Sequence, residues 1–289
     1  MSAGPPGSSW ARPAPVPADA DSGRGLRLRQ ILRSRAFTYV IVLGSAAAIV
    51  IGASLGSMAV MFGGPVAFIA TALALAFATA DWCSERDFFR AYAAPRGLVY
   101  EGTFELAPLT PLLGAGDWRR CIHWMREPLG SDGLGHFMYK VRDRERRFKR
   151  PDTRKFTVCT RDLEAAISMF PAVFLCRRRG VFEKLRGEDW LSHTNRHQVE
   201  LESERLCERY ELWVEDGQDE LLLRELFAPS FEVLLAEHPL QPCFEYRAGT
   251  LVVYVERRLT DEGHLDWLRE VAAKIGDRFT TEVGEASRA

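Results

Sequence analysis

From Phe37 to Ala80 the chain runs for 44 residues without an Asp, Glu, Lys, Arg or His. As one straight helix such a run would be roughly 66 Å long, about twice the ~30 Å hydrocarbon core of a bilayer. Two membrane spans are therefore expected. Phe62-Gly63-Gly64-Pro65 lies near the middle, where the glycines permit a turn and the proline suits the first turn of a second helix. The spans are placed at Phe37–Met61 and Pro65–Ala80. A cleaved signal peptide is not expected, because a polar stretch precedes the apolar run and the run is too long for an h-region.

Orientation follows from basic residues beside the spans. Arg24, Arg27, Arg29, Arg33 and Arg35 crowd the end of the first, which should stay in the cytoplasm. Two spans return the large C-terminal part to the same side, so both termini are expected in the cytoplasm of a plasma-membrane protein. Small residues recur every fourth position, Gly44, Ala48, Gly52 and Gly56 on the first helix and Ala70, Ala74 and Ala78 on the second. Such stripes let backbones approach, either within the hairpin or between copies through Gly52 and Gly56. Gly52-Ala53-Ser54-Leu55-Gly56 fits G-x-S-x-G, but a nucleophile elbow needs a preceding strand and a reachable base, and a mid-span helix offers neither.

The remaining chain divides by composition. Residues 1–36 are Pro- and Ala-rich and end in the arginines, which reads as a disordered basic tail. Residues 81–97 form a juxtamembrane stalk with Trp82 at the interface level. Residues 98–289 carry enough apolar residues for a soluble core. Short alternating segments come first, at 98–106, 136–142, 155–160, 172–177, 198–202 and 209–214; a hairpin over 244–255 turns at Ala248-Gly249. Helical periodicity comes late, at 219–227, from an N-cap at Ser230 to 236, and from 260 to a stop at Gly276. The fold class is α+β, a transmembrane hairpin followed by a mainly antiparallel sheet with late helices.

Net charge is -1, which gives no global attraction to nucleic acid. It hides an asymmetry: residues 142–186 carry net +8 and residues 200–237 net -9. Six cysteines stand far apart without a C-x-x-C pair, the pattern of reduced cytosolic thiols.

Val199-Glu200-Leu201-Glu202-Ser203, Tyr210-Glu211-Leu212-Trp213-Val214, Leu226-Phe227-Ala228-Pro229-Ser230-Phe231, Phe244-Glu245-Tyr246 and Leu251-Val252-Val253-Tyr254 carry a resemblance. Over residues 85–257 the chain resembles a family of uncharacterised bacterial membrane proteins, with two hydrophobic helices ahead of one soluble domain of unknown function. The resemblance implies that architecture in a bacterial inner membrane and brings no activity, cofactor or catalytic residue.

Three groups of residues are candidates for chemistry. His193 and His197 stand four apart, as zinc ligands on a helix would, but the following residues alternate like a strand and Thr194 occupies the position where H-E-x-x-H needs Glu. In that strand Glu200, Glu202 and Glu204 would share one face, where like charges can raise one another's pKa; a solvated strand face is the ordinary reading. The run Arg142, Arg144, Arg146, Arg147, Lys149, Arg150, Arg154 and Lys155 is a charged loop that, like Arg24, Arg27, Arg29, Arg33 and Arg35 before the first span, anionic lipid headgroups could neutralise, with too few aromatics nearby for nucleic acid. No Walker A and no strand-linked G-x-G-x-x-G is present, and Gly130, Gly133 and Gly135 read as a flexible turn. No catalytic residue, cofactor or metal is assigned. The expected function is a membrane-anchored binding or scaffolding module facing the cytosol, with a protein partner and, as an open possibility, self-association. The alternatives are a membrane-tethered enzyme, with a hydrolase as its leading form, and an accessory subunit of an envelope or transport complex.

Overall fold

The computed structural model describes residues 20–141, 152–178, 195–201 and 203–286. The chain divides into two compact units, residues 1–92 and 93–289.

In the first unit three helices follow one another: α1 (Ala20–Leu32), α2 (Arg35–Ser54) and α3 (Met58–Ala93). Part of the segment expected as a disordered tail is thus helical. Ser34, with extended backbone, separates α1 from α2 and caps α2 by accepting from the Phe37 N–H at 3.2 Å. The reversal between the apolar helices falls at Leu55–Ser57, where Gly56 takes φ +64°. It does not fall at Phe62–Pro65. Those residues lie within α3, whose start at Met58 puts Pro65 in its second turn. The register of the two helices explains the choice. A Cβ on Gly44 would enter the Phe68 ring, the Gly64 Cβ position is 3.2 Å from the Ala48 methyl, and a Cβ on Gly52 would enter the Met61 backbone. These antiparallel pairings converge on Gly56. The earlier turn brings the small-residue stripe of α2 into contact over its whole length.

The second unit is built on one nine-stranded sheet, every neighbouring pair antiparallel. The strands are β1 (Val99–Phe104), β2 (Trp118–Arg126), β3 (Gly133–Val141), β4 (Asp152–Asp162), β5 (Ala172–Arg177), β6 (Arg196–Val199), β7 (Tyr210–Glu215), β8 (Cys243–Arg247) and β9 (Thr250–Val255), in the order β1-β2-β3-β4-β9-β8-β5-β7-β6. The late hairpin β8–β9 fills the gap between the β1–β4 meander and β5. Its turn has positive φ at both Ala248 and Gly249, as a two-residue primed turn requires. Most expected strands are present, within a few residues of their expected ends; β2 is an addition. Gly133 and Gly135 belong to β3 and form no flexible turn, because the Trp124 indole packs where their side chains would be.

The helices of this unit are α4 (Pro111–Gly114), α5 (Glu204–Arg209), α6 (Glu220–Leu226), α7 (Pro229–Glu237) and α8 (Glu262–Ala286). On α7, Pro229 occupies the first turn after Ala228, so Ser230 is inside the helix and does not cap it. On α8 the helix passes through Gly276. Three residues further on Phe279 is fully buried against Phe170 and Tyr246, with ring centroids 4.9 and 4.8 Å away, and that contact outweighs the ~1 kcal/mol helix penalty of one glycine. The Gly276 Cβ position is 3.2 Å from an Arg161 Nη1, so the missing side chain also makes room for that arginine.

Candidate functional site

Beside α8 the sheet leaves a cleft of about 340 Å³. Leu98, Leu134, Cys159 and Ala273 supply its apolar lining; Glu127, Asp132, Arg161, Asp266, Arg269 and Glu270 supply charge. β4 alternates, and Leu134 and Val253 are the lateral neighbours of Cys159, so Cys159 and Arg161 face one side of the sheet together. The α8 residues recur at 266, 269–270 and 273, one face of a helix.

Most of the charged groups are committed. Arg161 Nε is 3.3 Å from Asp132 Oδ2, and its Nη1 donates to the Ala273 carbonyl at 3.1 Å and lies 3.6 Å from Asp277. Asp132 also accepts from the Asp162 N–H at 2.8 Å, tying the β2–β3 turn to the end of β4. Arg96 Nε donates to Asp266 at 2.7 Å and its Nη2 to Glu262 at 2.8 Å; Lys274 holds Glu270 at 2.7 Å. Arg269 and Glu127 form no ion pair among the described residues, which leaves one guanidinium and one carboxylate for a ligand. Burial pushes the Cys159 thiol up to about 12 against the pull of Arg269, so at neutral pH it is a protonated wall group, not a thiolate nucleophile. The arrangement is one for recognition by charge and shape.

A second polar group crosses strands β1 to β4. The Tyr100 hydroxyl lies 2.9 Å from His123 Nδ1, and the His123 ring stands edge-on to His136 at 6.0 Å. His136 Nε2 lies 2.9 Å from the Leu259 carbonyl, and its Nδ1 accepts from Arg258 Nε at 3.2 Å. Thr157 accepts from the Leu259 N–H and donates to the Arg257 carbonyl, both at 2.8 Å. These bonds pin the β9–α8 connection to the sheet. His123 takes φ +54° at a bulge in β2, a conformation unusual for a residue other than glycine.

Comparison with known proteins shows little beyond this geometry. No protein-family model and no curated protein matches the chain. Among solved structures the crystal structure of the mycobacterial trehalose monomycolate transport factor A, TtfA, is similar at 9% identity, covering 67% of this chain and 93% of that chain, with a TM-score of 0.43.

The sequence candidates are scattered. His197, on β6, lies 3.0 Å from Asp216 on the surface; His193 is outside the described residues, as are Glu202 and Arg142, Arg144, Arg146, Arg147, Lys149 and Arg150 of the basic run. Arg154 and Lys155 are on β4. The acidic strand face does not form. β6 ends at Val199, and Ser203 caps α5 by accepting from the Leu206 N–H at 3.3 Å, so Glu204 opens a helix. Among the described residues no group of three or more His, Cys, Asp or Glu is placed to hold a metal.

In the first unit, Gly44, Ala48 and Gly52 are the hairpin contact and Gly56 its turn. Ala70, Ala74 and Ala78 are exposed. The less exposed stripe of α3 is Gly64, Phe68, Ala72, Ala76 and Ala80, two residues out of phase with the expected one. Arg24 pairs with Asp81 at 2.5 Å and Arg27 with Asp87; Arg29, Arg33 and Arg35 are exposed. The cleft residues escaped sequence reading because no motif joins them: Glu127 and Arg269 come from segments far apart in the chain.

Proposed function

We propose that the chain is a plasma-membrane protein whose apolar hairpin spans the bilayer twice and whose α+β unit is a cytosolic binding or scaffolding module, with the cleft beside α8 as its recognition site. The observation that carries the membrane reading is the outward face of the hairpin. Leu43, Val50 and Phe62 are each 67% exposed, on helices of which α2 alone, at about 30 Å, matches the hydrocarbon core. An apolar belt of this kind is stable in lipid and not in water. The observation that carries the binding reading is the pair Arg269 and Glu127, left without ion-pair partners among the described residues in a cleft whose other charges are matched. A narrower form of the same reading, an accessory subunit of an envelope or transport complex, is favoured by Ala70, Ala74 and Ala78. This small-residue face is left unused by the hairpin and suits a helix of another protein.

Cysteine labelling tests the topology. Cys243 is buried and burial drives its thiol well above the ordinary range, so new cysteines are needed on a Cys83→Ser background. Leu55 sits in the hairpin turn and Leu129 in the β2–β3 turn, both exposed. In intact cells a membrane-impermeant maleimide should modify Leu55→Cys and should reach Leu129→Cys only after permeabilisation. The reverse pattern overturns the orientation, and extraction of the protein by alkaline carbonate overturns the spans. For the cleft, co-purified ligands or crosslinked partners of the wild type should be lost in Arg269→Ala with the melting temperature unchanged; retention in the variant removes the cleft as the site.

A further inference from the structure

The helix ahead of the hairpin does not extend it. In the register set by Ala48 with Gly64, Arg35 at the start of α2 stands level with about Phe77 of α3. If α1 continued α2 coaxially, Arg24 would lie about 15 Å further out. Instead its guanidinium lies 5.6 Å from the centroid of the Phe77 ring and pairs with Asp81 at 2.5 Å. Arg24 is therefore drawn back toward the level of Phe77, while Arg27 reaches Asp87 further along α3. The extended backbone of Ser34 makes the bend, and α1 crosses the charged end of the hairpin.

Its arginines divide into two sets. Arg24 and Arg27 turn toward α3 and are neutralised by Asp81 and Asp87. Arg29 and Arg33, one helical turn apart, and Arg35 at the start of the apolar run are exposed and make no ion pair among the described residues. Leu26, 70% exposed, lies on the same side of α1 as Arg29 and Arg33. Three unmatched guanidiniums thus stand together at the level where the apolar belt ends, which is where the phosphates of an anionic leaflet lie.

We propose that Arg29, Arg33 and Arg35 bind the headgroups of anionic phospholipids, while Arg24 and Arg27 latch α1 to α3. The inference rests on the bilayer-spanning reading of the hairpin. Each guanidinium near an anionic surface contributes about 1 kcal/mol, so three together correspond to roughly 100-fold in affinity.

Full-length protein in detergent, titrated with phosphatidylglycerol or phosphatidylcholine and read by native mass spectrometry, tests it. The wild type should retain phosphatidylglycerol adducts in preference to phosphatidylcholine. Combined Arg29→Gln, Arg33→Gln and Arg35→Gln should lower phosphatidylglycerol affinity roughly 100-fold, and the corresponding triple lysine variant should restore most of it. Undiminished phosphatidylglycerol binding by the triple glutamine variant overturns the proposal, as does equal retention of the two lipids by the wild type. Carbonate extraction of the same proteins separates the two ideas: resistance to extraction with unchanged lipid preference overturns the headgroup site alone, and release of the wild type overturns the spans and the site together.

Discussion

The indole of Trp124 lies over Gly133 of the neighbouring strand, so close that a Cβ there would enter the ring. Trp124 is itself 1% exposed, and the same indole covers Gly135. Two glycines in a strand are normally a weakness, and here the aromatic fills the space they leave. Gly133→Ala should therefore destabilise the α+β unit by about 2 kcal/mol, through overpacking against a side chain with nowhere to go. Thermal melting should show a fall of about 5 °C. In a Trp124→Ala background the same substitution should be neutral or stabilising, and a double-mutant cycle measures the difference. Additive effects would mean that the indole does not set the requirement for glycine.

His238 links stability to pH. Its ring stacks on Trp267, centroids 3.4 Å apart, and its Nδ1 accepts the Leu240 N–H at 3.1 Å, which requires an unprotonated nitrogen. Burial, with a smaller contribution from His264, holds its pKa below the ordinary histidine value. The folded state then binds fewer protons than the unfolded chain. The stability from this site is complete above the unfolded value of about 6.5 and is lost as pH falls from there through the lowered folded value. Melting temperature should drop between about pH 7 and pH 5, and His238→Phe, which keeps a stacked ring that cannot titrate, should flatten that slope. An unchanged slope would assign the acid sensitivity to other groups.

Asp219 caps α6, its Oδ1 accepting from the N–H groups of Leu221 at 2.8 Å and Leu222 at 3.4 Å. That short helix buries Leu223 and Leu226. Asp219→Ala should cost about 1 kcal/mol, while Asp219→Ser, which keeps an acceptor, should cost much less. Chemical denaturation of the three proteins checks the order. Equal losses for Ala and Ser would show that charge, not capping, is the source.

The fold was legible where local chemistry and tertiary packing agree. β5 has its expected residues, and the β8–β9 hairpin follows from Ala248-Gly249 flanked by aromatic and β-branched residues. The failures have specific causes. Glu200 to Glu204 alternate like a strand, but the Ser203 cap turns the chain into a helix. Gly276 looks like a helix stop, yet burial of Phe279 one turn later carries the helix past it. Gly63-Gly64-Pro65 is a stronger turn signal than Leu55-Gly56-Ser57 by sequence alone, and interhelical packing decides for the weaker one. β2 was missed because Trp118–Arg126 contains a bulge at His123 that spoils the alternation. The cleft was invisible because its charges pair across strands and α8, and which two have no ion-pair partner among the described residues is fixed only by the folded register.

Gly52 packs directly on the backbone of the facing helix: a side chain there would occupy the position of the Met61 backbone. Helix pairs in lipid associate through such contacts, because apolar bulk gains nothing over the surrounding tails. Gly52→Leu should therefore separate α2 from α3 while leaving each helix apolar enough to insert. The Ala48 and Gly64 positions report this directly, since the Ala48 methyl is 3.2 Å from where the Gly64 Cβ would be, near the ~3.8 Å that a disulfide spans between Cβ atoms. With Ala48→Cys and Gly64→Cys introduced together on a Cys83→Ser background, oxidation in native membranes should form the intrachain crosslink efficiently. Adding Gly52→Leu should suppress it several-fold, and Gly56→Ala, which disturbs only the positive-φ turn, should have a smaller effect. A crosslink yield insensitive to Gly52→Leu would show that the turn, and not the small-residue contact, holds the hairpin together.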